Sequence, residues 1–168
     1  MNLPCQTTLM RAKAFVSERL TRKRREDCCR RLYTLLEVFT HGALLAIAAA
    51  KLFNRAVEAV DNDPYAITNA NDNVALNRLS HLIKPSTTPI ETLTTPYNLI
   101  LANLYGEVLV QLAPEVTRLA LPGCIAIMSG ITELVRDSVA DTYTENHGWT
   151  IEEEQSDSGW HCIVLTKR

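Results

Sequence analysis

Residues 98–103 read Asn-Leu-Ile-Leu-Ala-Asn and form a short, nearly continuous apolar run in a chain of 168 residues. Such a run is typical of a strand whose two faces are both covered by helices. A helical pattern follows between residues 108 and 119, where apolar side chains recur at three- and four-residue spacing, and Pro114 is expected to start a fresh turn. This stretch therefore predicts a strand followed by a helix that packs against it.

The same alternation extends outward from this stretch in both directions. It predicts strands at 35–39, 56–61 and 124–128, with helices at 44–52, at 64–76 and from Ile131 to Tyr143. Pro122 and Gly123 are expected to end the central helix, and residues 84–97, with three prolines, are expected to form a loop. Strands alternating with helices form a parallel sheet, and right-handed crossovers make it doubly wound.

The end of the chain differs in kind from the part before it. Two runs rich in strand-forming residues, Trp149–Glu154 and Trp160–Thr166, are separated by a turn at Asp157-Ser158-Gly159. The turn is too short for a crossover, so these runs predict an antiparallel hairpin. The fold class expected is therefore α/β, with a doubly wound, mostly parallel, Rossmann-like sheet that ends in an antiparallel hairpin.

Composition excludes several classes of protein. Apolar residues make up 46% of the chain and charged residues 21%, which is typical of a globular domain. No segment approaches the roughly 20 apolar residues that a membrane helix needs, and the N-terminus lacks the apolar run of a signal peptide. We therefore expect a cytoplasmic protein with no membrane partner. Five scattered cysteines and four histidines show no metal-ligand spacing, so no metal site is expected.

Charge is distributed unevenly along the chain. The net charge is −2, but residues 1–31 contain nine Lys or Arg against three acidic residues. These residues predict a basic, helical N-terminal segment, followed by a single domain over 32–168. Within this segment, residues 11–31 could bind the phosphates of a nucleic acid, because each neutralised phosphate releases counterions. The alternative is a solvated helix with no partner.

Four motifs carry a resemblance to a known family. They are Leu45–Leu52 (LAIAAAKL), Val60–Ala66 (VDNDPYA), Leu101–Glu107 (LANLYGE), and Leu121–Gly123 followed by Ser129–Ile131. In this order and spacing, residues 44–168 resemble the catalytic domain of the ribosomal protein L11 methyltransferases, within the class I S-adenosylmethionine-dependent methyltransferases. The resemblance implies S-adenosylmethionine as cofactor and a protein amine as acceptor, with a ribosomal protein as one candidate substrate.

The resemblance also assigns candidate site residues. Asp61 ends the second predicted strand, where a carboxylate can accept hydrogen bonds from both hydroxyls of a ribose, and Asn62 follows it. Glu37 and Gly42 would border the methionyl part of the cofactor. Asn103 is the candidate catalytic residue, because in the family this asparagine lies in the active site. The alternatives are a surface or helix-capping role for Asp61 and a loop-capping role for Asn103.

One motif of the class is broken. Class I methyltransferases place three glycines after the first strand, where the cofactor passes bare backbone and some positions need positive φ. Phe39, His41 and Ala43 occupy these positions, and Gly42 falls between two of them. We therefore expect weak cofactor binding at most. One explanation of the break is altered coding of the residues before position 43.

The sequence leaves two other functions open. The first is a catalytically silent module that keeps the fold and binds RNA or ribosomes through its basic segment. The second is a nicotinamide oxidoreductase, which shares the acid after the second strand. However, the chain lacks the G-x-G-x-x-G loop of that class, and the final hairpin does not suit it.

Overall fold

The computed structural model describes residues 34–39 and 42–168 of the chain. Over these residues the strands are β1 (Leu35–Val38), β2 (Val57–Val60), β3 (Ile83–Ser86), β4 (Tyr97–Asn103), β5 (Ala120–Thr132), β6 (Trp149–Asp157) and β7 (Trp160–Lys167). The α-helices are α1 (Leu44–Phe53), α2 (Pro64–Leu76), α3 (Gly106–Leu119) and α4 (Arg136–Asp141). Short 3₁₀ turns lie at Ile90–Thr92 and Glu133–Val135, and a π-helical turn lies at Thr142–Asn146.

In the described part of the chain these strands form one seven-stranded sheet in the order β3-β2-β1-β4-β5-β7-β6. Strands β1 to β5 pair in parallel, and β7 lies antiparallel between β5 and β6. The chain therefore winds outward from β1 on one side and from β4 on the other. This arrangement confirms the predicted doubly wound sheet with its closing antiparallel hairpin.

The core lies on both faces of the sheet. One apolar cluster packs α3 and α4 against β-strand residues such as Leu36 and Ile100. The other packs α1 and α2 against their neighbours on the opposite face, including Leu35 and Leu99. Because successive strand residues point to opposite faces, both sides of β4 are apolar. The continuous apolar run at 98–103 follows directly from this double burial.

The prediction of a loop over 84–97 is wrong at its start, since Ile83–Ser86 forms β3. This strand pairs only with β2 and lies at the edge of the sheet. A proline cannot donate to a sheet ladder, but an edge strand needs donors on one side only. Pro85 therefore fits in β3, although its presence in the sequence argued against a strand.

The predictions for the segment around α3 also need correction. Pro114 does not start a fresh turn: it lies inside α3, which runs unbroken because Leu109, Ala113 and Val116 are buried on both sides of the proline. The helix ends at Leu119, before Pro122, and β5 starts at once. Pro122 and Gly123 lie at an irregularity of β5, where the pairing with β4 shifts register.

The next predicted helix begins later than expected. Ile131 belongs to β5, and α4 starts only at Arg136. Ile131 is fully buried in the core cluster that contains α3, so its apolar character suits a strand as well as a helix. The spacing of apolar residues could not show where this helix starts. Apolar residues at the end of β5 and in α4 pack into the same core cluster, so both fit one apparent helical pattern.

Some expectations concern residues that the structure does not describe. The basic segment 1–31 and His41 lie outside the described residues. Within residues 34–39 and 42–168, no helix combines the length and the apolar content that a bilayer crossing requires. In that same part of the chain, no three His, Cys, Asp or Glu side chains converge as a metal site.

Candidate functional site at the carboxyl edge of the sheet

Three of the candidate positions lie at the same edge of the sheet. Val38 pairs with Val60 of β2 on one side and with Ala102 of β4 on the other. Phe39, Asp61 and Asn103 each follow one of these paired residues, so the three stand in one row at the carboxyl ends of adjacent strands. Strand order reverses between β1 and β4, and such switch points form the binding crevice of doubly wound sheets.

Asp61 is the buried carboxylate of this crevice. Its side chain is 4% exposed, and its Oδ1 accepts a hydrogen bond from the backbone N–H of Asp63 at 2.9 Å. Its Oδ2 is buried and accepts no hydrogen bond from any described residue. A buried carboxylate oxygen without a donor is costly, so this atom needs a partner such as a hydroxyl group.

The capping role considered for Asp61 belongs instead to Asp63. The Asp63 carboxylate accepts a hydrogen bond from the N–H of Tyr65 at 2.8 Å and caps α2, with Pro64 as the first helical residue. Asn62 lies between the two aspartates and is exposed. The Asp61 carboxylate is therefore available to the crevice, while its neighbour holds the helix.

Glu37 lies beneath the loop that follows β1. It is buried, and its two carboxylate oxygens accept hydrogen bonds from the N–H groups of Leu45 and Ala46, each at 3.2 Å. Ala43, at the N-cap of α1, has no side chain that could serve these amides. An acid at a helix N-terminus also complements the helix dipole. Glu37 thus caps α1 from the end of β1, a role that the sequence did not reveal.

The loop after β1 has the positive-φ backbone that the glycine-rich motif of the class provides. Phe39 and Ala43 adopt φ of 57° and 56°, in the left-handed region, and Gly42 has φ of 143°. The expectation that this loop needs positive φ is confirmed at Phe39 and Ala43, each at a cost of about 1–2 kcal/mol for a residue with a Cβ. Gly42 also approaches α2 closely, since its carbonyl accepts a hydrogen bond from Asn73 Nδ2 at 3.0 Å.

Phe39 is held in place by two kinds of contact. Its N–H donates to the carbonyl of Val60 at 2.7 Å, which continues the ladder between β1 and β2. Its half-buried ring packs against the core cluster on the α3 side of the sheet. The ring is thus partly removed from the crevice, although its backbone stands where the class has glycine.

Asn103 ends β4 on the other side of the crevice. Its Oδ1 accepts a hydrogen bond from the hydroxyl of Ser129 at 3.0 Å, and Ser129 is its register partner on β5. The N–H of Leu104 donates to the Ser129 carbonyl at 2.9 Å. Gly130 follows with φ of 86°, and a Cβ there would lie 2.6 Å from the carbonyl oxygen of Leu104. Only glycine fits at this approach.

Ser129 and Gly130 were not among the predicted site residues. They occur in one of the motifs that carried the resemblance, so a signal was present. However, the contact joins residues 26 positions apart, and a sequence pattern does not show which strands pair. The structure therefore adds these two residues to the site through the pairing of β4 with β5.

A charged cluster supports this side of the crevice. The buried ring of His161 lies between two carboxylates, with Nδ1 at 2.8 Å from Glu154 Oε1 and Nε2 at 2.6 Å from Glu133 Oε2. Arg136 Nε donates to Glu154 Oε1 at 2.8 Å. The Arg136 guanidinium, helped by His161, holds the pKa of the Glu154 carboxyl below its usual range. These contacts connect Glu133 and Arg136, which follow β5, to Glu154 on β6 and His161 on β7.

The fold of this chain recurs among methyltransferases of known structure. A ribosomal protein L11 methylase from Lactobacillus delbrueckii subsp. bulgaricus superposes with a TM-score of 0.81 at 25% identity, over 99% of this chain and 81% of that one. An RNA methyltransferase from Salinibacter ruber, solved in complex with S-adenosyl-L-homocysteine, superposes with a TM-score of 0.69 at 12% identity, over 99% of this chain and 92% of that one. The fold is therefore that of the α/β methyltransferases.

Sequence comparison identifies the family within this class. Residues 18–168 match the ribosomal protein L11 methyltransferase (PrmA) family, and the chain belongs to it. Relatives described as ribosomal protein L11 methyltransferases from Geotalea daltonii and Heliobacterium modesticaldum are each 37% identical to it, over 132 and 134 residues. Each alignment covers 79% of this chain but 42% of the relative. The chain thus spans less than half the length of these relatives.

The family match begins upstream of the motifs quoted from the sequence. Those motifs start at Leu45, whereas the match starts at residue 18 and includes β1 and the loop after it. The resemblance assigned to residues 44–168 is therefore confirmed and extended toward the N-terminus.

Proposed function

We propose that this chain is an S-adenosylmethionine-dependent methyltransferase that acts on a protein amine. Its membership of the ribosomal protein L11 methyltransferase family supports this function. The observation in the structure that carries the proposal is the buried Oδ2 of Asp61, which accepts no hydrogen bond from any described residue. Asp61 follows β2, the strand next to β1, and so lies beside the switch point of the sheet. A ribose hydroxyl is a donor of the required kind.

The residues at the crevice fit the cofactor unequally. Asp61 would hold the ribose through its unused oxygen, and Asn62, Glu37 and Gly42 would lie along the remainder of the cofactor. Glu37 would contribute mainly by holding the N-terminus of α1 in place, since both of its carboxylate oxygens accept hydrogen bonds from N–H groups of that helix. Bound S-adenosylmethionine would supply an electrophilic methyl group. The side chain of Phe39 is the feature that fits least well.

Asn103 would position the acceptor amine. Methyl transfer to an amine depends chiefly on proximity and alignment, because the nucleophile is the lone pair of a deprotonated nitrogen. An amide oxygen can accept a hydrogen bond from that nitrogen and so orient its lone pair. Asn103 stands in the same row as Asp61, one strand beyond β1, which suits a group that meets the reacting end of the cofactor.

The name of the family points to ribosomal protein L11 as the acceptor. We place the reaction in the cytoplasm, where such a substrate is made. Nucleic acid is a second proposed partner, through the basic residues 11–31, whose charge would favour ribosomal RNA near the acceptor. A salt-dependent retention of RNA by the intact chain, lost on deletion of residues 1–31, would support this partner.

The experiment that tests the function measures cofactor binding at Asp61. Calorimetric titration with S-adenosylhomocysteine should show binding to the parent chain and a loss of about 2–4 kcal/mol in Asp61→Ala, because the charged acceptor for the ribose hydroxyls is removed. The matched control is Asp63→Ala. It should lower stability by about 1 kcal/mol through the lost cap of α2, with little change in affinity.

Two results would contradict the proposal. Unchanged affinity in an Asp61→Ala protein with an unchanged melting curve would remove Asp61 from the cofactor site. A parent chain that binds neither S-adenosylmethionine nor S-adenosylhomocysteine would favour the catalytically silent module. Transfer of a labelled methyl group to purified ribosomal protein L11 tests the acceptor separately.

A further inference from the structure

The exposed large apolar side chains of this protein are concentrated at one edge of the sheet. Among the described residues they are Leu44, Tyr65, Leu76, Tyr105 and Leu134. Leu76 lies at the far end of α2, away from the crevice. Each of the other four lies in the segment that follows the carboxyl end of a strand, after β1, β2, β4 and β5 in turn. Scattered exposed apolar residues need no explanation, whereas a group of them beside a candidate site indicates a partner.

Leu134 is the most exposed of the five, and its neighbours along the chain are anchored. Leu134 is 95% exposed. On one side of it, the Glu133 carboxylate lies 2.6 Å from His161 Nε2. On the other side, Arg136 Nε donates to Glu154 Oε1 at 2.8 Å. The leucine is therefore presented to solvent by an ordered segment, and a partner that buries it would lose less conformational entropy than on a loose loop.

Tyr105 lies on the segment beside it. Tyr105 directly precedes α3 and is 70% exposed. The next residue, Gly106, packs so closely on Val135 that an added Cβ would lie 2.4 Å from Val135 Cγ2. Tyr105 and Leu134 are thus the chain neighbours of two residues in direct contact. Tyr105 also follows Asn103 by two positions, so both exposed side chains belong to the acceptor side of the crevice.

The two segments, residues 103–107 and 129–137, carry a net negative charge. Their charged residues are one cation and three exposed carboxylates, namely Arg136, Glu107, Glu133 and Asp137. Arg136 forms ion pairs with Glu154 and Asp137, so its positive charge is already balanced within the protein. A surface that combines exposed apolar side chains with an excess of carboxylates is complementary to a segment rich in Lys and Arg.

We propose that Tyr105 and Leu134, with the carboxylates beside them, form a docking surface for a basic segment of the acceptor protein, next to the amine that is methylated. This inference rests on the proposed methyltransferase function. The two apolar side chains would pack against the aliphatic stems of lysine and arginine residues, and the carboxylates would pair with their charged ends. The ring face of Tyr105 also attracts cations. The surface serves the acceptor and leaves the nucleoside site at Asp61 untouched.

Binding of ribosomal protein L11 to the full chain tests this surface without turnover. The measurement is made by interferometry in the presence of saturating S-adenosylhomocysteine. A double variant, Tyr105→Ser with Leu134→Ser, changes only exposed positions and should retain the fold. It should weaken the affinity for ribosomal protein L11 by about tenfold or more, because exposed aromatic and aliphatic anchors contribute strongly to interfaces. Its affinity for S-adenosylhomocysteine should stay within about twofold of the parent value.

The chain offers a matched control on α2. The control variant, Tyr65→Ser with Leu76→Ser, removes the same two types of side chain from exposed positions and should leave both affinities unchanged. Leu134→Ser alone should reproduce part of the loss.

A charge variant tests the acidic part of the surface. Glu107→Gln should weaken binding of ribosomal protein L11 by about threefold at low salt and by less at high salt, because salt screens exposed charges.

The outcomes separate the two proposals. A parent chain that does not bind S-adenosylhomocysteine would overturn the function, and this inference with it. A parent chain that binds S-adenosylhomocysteine, but does not bind ribosomal protein L11 or binds it equally well in the double variant, would overturn the inference alone. An equal loss in the control variant would also overturn it. Self-association of the parent chain that the double variant abolishes would assign the surface to a second copy and overturn it as well.

Discussion

The two sides of the crevice meet the same backbone requirement in different ways. After β1, left-handed backbone falls on Phe39 and Ala43, which both carry a Cβ. In β5 it falls on Gly130, where an added Cβ would lie 2.6 Å from the carbonyl oxygen of Leu104. The side proposed to position the acceptor therefore has glycine where its left-handed backbone needs it, while the cofactor side has glycine at Gly42 but residues with a Cβ at two other positions of positive φ. A residue with a Cβ can hold a left-handed conformation where no atom blocks its side chain, whereas glycine is required where one does.

The difference predicts that a Cβ at Gly130 is far more damaging than one at a free position. Gly130→Ala should lower the free energy of unfolding by about 2–4 kcal/mol, because it adds backbone strain and a clash with the Leu104 carbonyl. Gly123→Ala is the matched control, at φ of 76° with no atom within 4 Å of the added Cβ. It should cost about 1 kcal/mol. Urea unfolding of both variants measures the contrast, and equal losses would show that the approach of β5 to β4 is not tight.

The converse change on the cofactor side removes a side chain. Phe39→Gly should lower stability by about 1–3 kcal/mol through lost packing of the half-buried ring. It should also strengthen binding of S-adenosylhomocysteine by about tenfold, because bare backbone allows closer approach of the cofactor. Phe39→Leu keeps a Cβ and should gain no affinity. Equal affinities in the parent and Phe39→Gly would place the ring outside the path of the cofactor.

The charged cluster on the acceptor side predicts a dependence on pH. The pKa of Glu154 is lowered in the folded chain by Arg136, so the folded state holds fewer protons there than the unfolded state in acid. The stabilisation is therefore complete above the unfolded value of about 4.3 and is lost as pH falls through the folded pKa. Glu154→Gln should lose about 1 kcal/mol at neutral pH and show a flatter decline in acid. An unchanged acid profile in urea titrations would remove Glu154 from this role.

The smallest effect is expected at Ala43, on the cofactor side. Ala43→Gly relieves left-handed strain but adds conformational entropy to the unfolded chain, so the net gain should be about 0.5 kcal/mol or less. Asn54→Gly is the matched control at the other end of α1, with φ of 51° at a residue type that tolerates this conformation. It should change stability even less. A clear loss in Ala43→Gly would show that the Ala43 methyl group contributes to the core more than its strain costs.

Local patterns were sufficient to predict much of this protein. The alternation of apolar strands and helices, the N-cap at Asp63 and the tight turn before Trp160 each depend on neighbouring residues, and they predicted the doubly wound sheet with its hairpin. The positions of Asp61 and Asn103 followed as well, because the carboxyl ends of parallel strands share one edge. The need for positive φ after β1 was also visible, since the class places glycine there.

Tertiary structure alone decided the features that depend on distant partners. Pro85 is compatible with β3 only because that strand lies at the edge of the sheet, and Pro114 stays helical because buried neighbours hold α3 together. Glu37 caps α1 across the loop, and Ser129 reaches Asn103 through the pairing of β5 with β4. Each of these contacts joins residues that are separated along the chain. The sequence specifies the groups, but only the packed sheet determines which donor meets which acceptor, and which oxygen of Asp61 is left for a ligand.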